Sequence, residues 1–161
     1  MDDQETKLPT YWSSSFQELC VGMKVGNDLK FVSISYPASS LYDLIADGKY
    51  HATSLGRQKW KSLISGSSLQ IYCNKEGFNV MGTVYSAVHT RTRIGLIGNE
   101  QSDCASPDSF IGIGCPGPAN RHFTYLNCGV SNVINTCGNS AICSPDNGDK
   151  EIMAMGYIFV R

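Results

Sequence analysis

The feature that most constrains this chain is the distribution of its cysteines. Seven cysteines occur in 161 residues, and five of them lie between residues 104 and 143. Around them, residues 98–150 are rich in Gly, Pro, Asn, Ser and Asp and have little helical or strand periodicity. A stretch this long and irregular is seldom ordered without crosslinks. We therefore predict that disulfides stabilise the C-terminal part of the chain.

The cysteine spacing favours disulfides over a metal cluster. No pair has the C-x-x-C spacing, and the three histidines, His51, His89 and His122, are scattered, so a zinc ligand set is hard to assemble. Disulfides persist in oxidising compartments, which predicts a secreted, extracellular protein. An odd number of cysteines leaves one thiol free, or paired with another chain in an oligomer, or paired with a cysteine absent from this chain.

Length and charge restrict the class of protein. A chain of 161 residues is sufficient for one domain, so we assign residues 1–161 to a single domain. Its 13 basic and 14 acidic residues give a net charge of -1, which provides no excess positive charge for nucleic acid. No apolar run approaches the ~20 residues that cross a bilayer, and the polar start of the chain does not resemble a signal peptide. We expect a secreted protein without a membrane span, whose signal peptide is not present in this chain.

The sequence of the first half of the chain predicts a β-hairpin. Residues 19–25 and 29–36 are rich in strand-forming side chains and flank the turn sequence Gly26-Asn27-Asp28. Further strands are predicted at residues 78–89, 91–98 and 151–161.

Two short helices are also predicted. Ser40 and Asp43 have the spacing of a capping box, and Gly48 can end that helix. Residues 56–66 place Trp60 on an apolar side and lysine or arginine on the other side, which we expect to be solvated. The fold class is therefore α+β, β-rich and loop-heavy.

Catalytic and nucleotide-binding motifs are poorly represented. The run GIGCPG at residues 112–117 formally matches a dinucleotide loop, but Pro116 and Pro118 remove backbone amides and no helix pattern follows. No cysteine or serine lies in a nucleophile motif with a positioned histidine base. We expect that the protein is not an enzyme.

Oxygen-bearing side chains cluster after the predicted strand at residues 91–98. Asn99, Glu100, Asp103 and Asp108 lie within ten residues, and calcium accepts such ligands from irregular loops. A calcium site and a plain turn both remain open here. A second loop, residues 144–150, contains Asp146, Asn147 and Asp149, but its Asn-Gly step favours a plain hairpin.

The same C-terminal residues resemble a known family. The pattern CASPDSFIGIGC, then NCG, then EIMAMGYIFVR is similar to the C-terminal part of intelectins, X-type lectins of the fibrinogen-related group. Cys104, the segment 110–112, Cys128-Gly129 and the segment 157–161 carry the match. A longer pattern across nearly the whole chain resembles secreted cnidarian proteins of fibrinogen-like character, including coral skeletal organic matrix proteins. The resemblance implies a fibrinogen-related domain that lacks the family's N-terminal segment.

The resemblance also implies a function. Intelectins hold a sugar diol on a calcium ion beside aromatic side chains, and Asn99-Glu100 matches their Asn-Glu step. Asp108 stands where the family has a histidine ligand, whereas Ala105, Pro107 and Val130 replace other polar ligands. The implied metal ligands are Asn99, Glu100, Asp103 and Asp108, and the implied sugar-facing residues are His122, Phe123 and Tyr125.

Disulfide pairings follow from the same resemblance. It implies that Cys73 pairs with Cys104 and that Cys20 pairs with Cys128. Cys137 and Cys143 are close enough in sequence to form a small loop, which would leave Cys115 unpaired.

Two functions then compete. The first is a secreted, non-enzymatic lectin that binds glycans with the help of calcium. The second is a structural protein of the extracellular or skeletal organic matrix, without recognition of a sugar diol, that associates with other matrix components in biomineralization. The net charge of -1 argues against direct templating of a mineral by this chain.

Overall fold

The computed structural model describes residues 6–82, 90–115, 124–126, 129–131 and 137–161. Three short helices occur in these residues: α1 (Thr10–Ser13), α2 (Leu41–Ala46) and α3 (Arg57–Lys61). The strands are β1 (Phe16–Val25), β2 (Asp28–Ala38), β3 (His51–Ala52), β4 (Tyr72–Met81), β5 (Arg91–Asn99), β6 (Ser109–Ile113), β7 (Thr124–Leu126), β8 (Gly129–Ser131), β9 (Cys137–Ala141), β10 (Lys150–Met153) and β11 (Met155–Val160). The β-rich α+β class predicted from the sequence is confirmed.

Nine of these strands form two antiparallel sheets. Sheet A has the order β11-β1-β2, and sheet B has the order β10-β9-β6-β5-β4-β3. Strands β7 and β8 pair with each other. A single residue, Ala154, separates β10 in sheet B from β11 in sheet A, so the end of the chain connects the two sheets.

The predicted hairpin forms the first half of sheet A. Val25 pairs with Asp28, which leaves Gly26 and Asn27 as a two-residue loop. Gly26 has a φ of 59°, a conformation that glycine adopts without the steric cost of a Cβ atom. This turn confirms the prediction from the Gly-Asn-Asp sequence.

Both predicted helices are present, and each buries its apolar side. The Ser40 hydroxyl accepts a hydrogen bond from the amide of Asp43 (3.0 Å), and Gly48 follows the helix with a φ of 68°. In α3, Trp60 is fully buried, and its Nε1 donates to the carboxylate of Glu76 (2.9 Å). Helix α1 was not predicted.

The basic side of α3 differs from its prediction. Arg57 Nη2 donates to Asp146 Oδ2 (2.7 Å), and Lys61 Nζ donates to the same oxygen. The side chains of these two residues are only 16–17% exposed to solvent. The expectation of a solvated basic face was therefore wrong for these two residues, because Asp146 comes from a loop that is 85 residues or more away in sequence.

One buried cluster joins the two sheets. Its fully buried members include Leu19 and Met23 from sheet A, Phe78 and Leu96 from sheet B, and Trp60 from α3. Burial of one such side chain contributes about 1.5–3 kcal/mol to folding. A smaller cluster forms elsewhere on sheet B from these residues: Cys73, Val80, Ile97, Phe110 and Cys115.

The glycines of residues 112–117 belong partly to a strand. Gly112 lies within β6 and pairs with Gly95 on one side and Gly138 on the other. A Cβ atom on Gly112 would lie 2.2 Å from Thr92 Oγ1 and 2.6 Å from the Ile94 carbonyl oxygen. The Gly-Ile-Gly run therefore has a role in close strand packing.

The region predicted to consist mostly of turns contributes two inner strands. Strands β6 and β9 lie side by side within sheet B, where Ser109 pairs with Ala141 and Ile113 pairs with Cys137. The expectation of irregular structure across residues 98–150 was wrong for these ten residues.

Among the helices that the structure describes, none is long and apolar enough to cross a membrane.

Candidate functional site

Several loops meet at one end of sheet B. The start of β4, the turn between β5 and β6, and the loop between β9 and β10 lie there because neighbouring strands are antiparallel. We call residues 70–73, 99–108 and 142–149 the clamped end. The Cys73–Cys104 disulfide joins its first two segments, which confirms that predicted pairing. Gln70 Nε2 donates to the carbonyl oxygens of Ile142 and Cys143 (2.5 Å each). These hydrogen bonds join the third segment, residues 142–149, to the first.

Two of the predicted metal ligands come together at this end. Carboxylate oxygens of Glu100 and Asp108 lie within 4.8 Å of each other and of the Cys143 sulfur. Asp108 is fully buried and continues the strand ladder: its amide donates to Gly98 O (3.0 Å), and its carbonyl accepts from Ile142 N (3.2 Å). The position of Asp108 is thus determined by backbone pairing on both sides.

Glu100 has an oxygen that the described residues do not satisfy. Its Oε1 accepts a hydrogen bond from Gln101 Nε2 (2.6 Å). Its Oε2 is buried and accepts no hydrogen bond from any residue that the structure describes. A buried carboxylate oxygen without a donor is costly in free energy, so this atom is available for a cation.

The other two predicted ligands have a different role. Asn99 Nδ2 donates to the carbonyl oxygen of Asp103 (3.0 Å), and Asn99 Oδ1 accepts from the amide of Glu100 (3.0 Å). Asp103 Oδ1 accepts from the amide of Ala105 (2.8 Å). Asn99 and Asp103 therefore stabilise the turn that presents Glu100.

The chemistry of the cluster favours a hard cation. Cys143 is disulfide-bonded, so its sulfur carries no negative charge and is not a thiolate ligand. The remaining donors are carboxylate oxygens, which calcium prefers, and backbone carbonyls or water would have to complete six to eight ligands. The residues present fit calcium better than zinc, which requires nitrogen or sulfur ligands for a structural site.

The second loop joins the two strands of a hairpin, but the two-residue Asn-Gly turn that its sequence favoured is not formed. Strands β9 and β10 pair antiparallel, although the loop between them spans residues 142–149 instead of two residues. The oxygens of Asp146 accept hydrogen bonds from Arg57, Lys61 and the amide of Leu69. Asn147 Nδ2 donates to Gly66 O (2.9 Å). These two side chains pack against the segment before β4.

The predicted sugar-facing residues lie in a part of the chain whose side chains are outside the described structure. His122 and Phe123 lie outside the described residues, and only the backbone of Tyr125, within β7, is described. A different aromatic residue lies at the clamped end. Tyr72 pairs with Asn99 across β4 and β5, and 49% of its surface is exposed.

Sequence reasoning missed Tyr72. Ile71 and Tyr72 are consecutive, both are about half exposed, and they directly precede the disulfide-bonded Cys73. Two large apolar side chains next to a cysteine would ordinarily be assigned to the core. Their exposure in the folded structure shows that neither side chain belongs to the core.

Two predicted disulfides were wrong. Cys20 is free and lies in β1, the middle strand of sheet A, so it does not pair with Cys128, which lies outside the described residues. Cys137 is also free and starts β9, whereas Cys143 follows the end of that strand. An extended strand advances about 3.3 Å per residue, which separates the two far beyond the roughly 7 Å limit between Cα atoms in a disulfide.

The free thiols differ in accessibility. Cys115 is free, as predicted, and buried. Burial raises the pKa of Cys115 well above its usual range and raises the pKa of Cys137 to about 12. Both remain protonated at neutral pH and are poor nucleophiles. Cys20 is partly exposed, so it is the thiol of these three that could react with another chain.

Comparison with known proteins gives no relative. No protein-family model matches the chain, and neither a curated protein nor a solved structure shows a significant match.

Proposed function

We propose that this protein is a secreted, non-enzymatic lectin of intelectin-like, fibrinogen-related type that binds glycans with the help of calcium. The observation that carries the proposal is the pairing of Glu100 and Asp108 at the clamped end, where Glu100 Oε2 is buried and unsatisfied by the described residues. The proposal rests on this geometry and on the resemblance of the C-terminal motifs.

Electrostatics favours a cation between these side chains. Two carboxylates within 4.8 Å repel each other, most strongly when water is excluded from around them. A divalent cation removes this repulsion and supplies the interaction that Glu100 Oε2 does not receive from the described residues. Because the Cys73–Cys104 disulfide and the backbone pairing of Asp108 hold the loop, little ordering would be required on binding.

The exposed ring of Tyr72 provides the sugar contact in this proposal. A pyranose has an apolar C–H face that packs on aromatic rings, while its hydroxyls can ligate a calcium ion that has open positions. Tyr72 is the cross-strand partner of Asn99, which is followed by Glu100. In this proposal one ligand contacts both the ring and the metal at the clamped end.

Thermal unfolding with calcium and with chelator tests the metal. A ligand at about 100 times its Kd stabilises the native state by about 2.7 kcal/mol, which raises Tm by roughly 5–10 °C for a domain of this size. We expect this rise in the unmodified protein and its loss in Glu100→Gln and Asp108→Asn. Asp28→Asn, which removes an exposed carboxylate from sheet A, is the matched control and should keep the rise. An unchanged Tm at millimolar calcium in the unmodified protein would contradict the metal site.

A glycan array, read with calcium and with chelator, tests sugar binding. We expect calcium-dependent signals that Tyr72→Ala weakens and that Phe31→Ala, an exposed aromatic residue of sheet A, leaves intact. A calcium-dependent rise in Tm without any bound glycan would instead fit a structural matrix protein.

A further inference from the structure

A shallow depression opens at the β9–β10 edge of sheet B. It is lined by Ser140, Ile142, Asp149, Lys150 and Glu151, and its volume is about 260 Å³. Ser140 is only 1% exposed, and its Oγ has no hydrogen-bond partner among the residues that the structure describes. Buried hydroxyl groups nearly always have a partner, so this one requires an explanation.

Strand register determines where the Ser140 side chain points. Ser140 pairs with Glu151, and directly paired residues project their side chains from the same face of a sheet. Ile142 lies two residues after Ser140, and Asp149 lies two residues before Glu151; both line the same depression. The unsatisfied hydroxyl is therefore directed to the face that carries two carboxylates and an apolar side chain.

The lining defines the chemistry of a ligand. Asp149 and Glu151 carry two negative charges and Lys150 carries one positive charge, which leaves one net negative charge and disfavours anions. Carboxylates only accept hydrogen bonds, whereas the Ser140 hydroxyl both donates and accepts. Together with the apolar Ile142, this set complements a neutral molecule that has several hydroxyl groups and an apolar face.

The size of the depression restricts the ligand further. Pockets that enclose drug-sized molecules have volumes of roughly 300–1,000 Å³, so a depression of about 260 Å³ accommodates one small ring. We propose that this depression is a subsite that binds a single neutral pyranose through its hydroxyl groups, without a metal ion. The inference extends the proposed glycan-binding function, on which it rests.

The subsite adjoins the cation site. The amide of Ile142, which lines the depression, donates to the carbonyl oxygen of Asp108 (3.2 Å). One sugar unit of a glycan chain could occupy the depression while a neighbouring unit reaches the calcium ion. The two sites would then share one ligand but depend on different residues.

Amide NMR titration in the presence of chelator tests the subsite. The probes are the methyl glycosides of glucose, galactose and mannose, and methyl glucuronide is the anionic control. We expect at least one neutral glycoside to shift the amides of Ser140, Ile142 and Glu151, whereas the glucuronide shifts none. Absence of any shift at these amides with all three neutral probes would overturn the proposal, as would an equal response to the glucuronide.

Two substitutions separate a loss of contact from a loss of structure. Ser140→Ala should weaken the binding of the neutral glycoside about tenfold, the effect of one lost hydrogen bond, without lowering Tm, because it removes an unsatisfied buried hydroxyl. Glu151→Gln should weaken the same binding and also reduce the discrimination against glucuronide. Ser33→Ala, on exposed sheet A surface, is the control. Unchanged affinity in Ser140→Ala and Glu151→Gln would contradict the assignment.

The result of the NMR titration does not depend on the result of the calcium test. Shifts in chelator without any calcium effect on Tm would retain the subsite and refute the metal. Calcium-dependent array signals without shifts at Ser140 would retain the proposed function and refute the subsite. Amide shifts that require calcium would show that the depression binds a cation, which would overturn the metal-free subsite.

Discussion

Asp146 illustrates how one side chain can connect distant segments. Burial alone would raise the pKa of its carboxyl, but hydrogen bonds from Lys61, the Leu69 amide and Arg57 outweigh this and lower the pKa to about 2. The three donors belong to α3 and to the segment that leads into β4. Asp146 therefore fastens the β9–β10 loop to α3 and to the segment before β4.

Replacement of Asp146 should weaken this connection in a pH-dependent way. The carboxyl has an ordinary pKa near 3.8 when unfolded and about 2 when folded, so its contribution is complete above about pH 4 and is lost as pH falls towards 2. A shift of this size corresponds to at most about 2.5 kcal/mol, which solvent screening reduces to about 1 kcal/mol. We expect Asp146→Asn to lower the free energy of unfolding by this amount at pH 7.

Denaturant titrations at pH 7 and near pH 2.5 provide the measurement. The difference between the unmodified protein and Asp146→Asn should shrink at the lower pH. Asp149→Asn, which changes an exposed carboxyl of the same loop, should leave stability unchanged at both values. A difference that stays constant with pH would contradict an ionic role for Asp146.

At the scale of elements, a row of glycines crosses the middle of sheet B. Gly77, Gly95, Gly112 and Gly138 are consecutive partners on β4, β5, β6 and β9. A Cβ atom on Gly95 would lie 2.3 Å from the Ile111 carbonyl oxygen, and one on Gly77 would lie 2.0 Å from that of His51. These contacts are with backbone atoms, which cannot move aside as a side chain can. The row therefore allows the strands to approach where a side chain would separate them.

Gly112→Ala should consequently be strongly destabilising. Its new methyl group would clash with Thr92 Oγ1 and Ile94 O, and overpacking of this kind costs about 1–3 kcal/mol or more. Gly22→Ala is the matched control, because the three atoms nearest to its Cβ atom would all belong to the ring of Phe31, which is 44% exposed and can rotate away. We expect the control to cost less than about 1 kcal/mol, close to a surface substitution. Equal loss of Tm in the two variants would show that the distance to neighbouring backbone atoms does not determine whether a glycine can be replaced by alanine.

At the scale of the whole molecule, crosslinks lie where regular structure ends. The Cys73–Cys104 disulfide spans 31 residues and joins the beginning of β4 to the turn after β5. Cys143 is also disulfide-bonded and lies in the loop after β9. The sheets have their own buried core, whereas most residues of the clamped end lie in loops. Disulfides stabilise these loops by restricting the unfolded chain.

Removal of the Cys73–Cys104 disulfide by the double substitution Cys73→Ser and Cys104→Ser should lower stability markedly. Loop-closure entropy for 31 residues predicts a loss of about 3–4 kcal/mol, measured by denaturant unfolding. Cys20→Ser, which changes a free cysteine of sheet A, is the control and should have little effect. A small effect of the double substitution would indicate that the loop is held by its hydrogen bonds.

The elements that the sequence predicted well are local ones. The two-residue turn at Gly26-Asn27 and the Ser40 cap depend on residues at most a few positions apart, and their interactions need no partner from elsewhere. The disulfide between Cys73 and Cys104 followed from a resemblance of motifs. In contrast, β6 and β9 were not predicted, because their glycines and small polar residues do not show the alternation that identifies a strand. A strand buried between two neighbours does not require alternating side chains.

The amino-acid sequence by itself therefore determined the β-rich class, the first hairpin, and the helices α2 and α3. It also determined that Glu100 and Asp108 lie close together along the chain. Only the tertiary structure decided that these two carboxylates converge beside Cys143, that Asp146 pairs with Arg57 and Lys61, and that Ser140 is the cross-strand partner of Glu151. The physical reason is distance along the chain. Turns and caps depend on neighbouring residues, whereas a site formed by antiparallel strands depends on a register that the whole sheet sets.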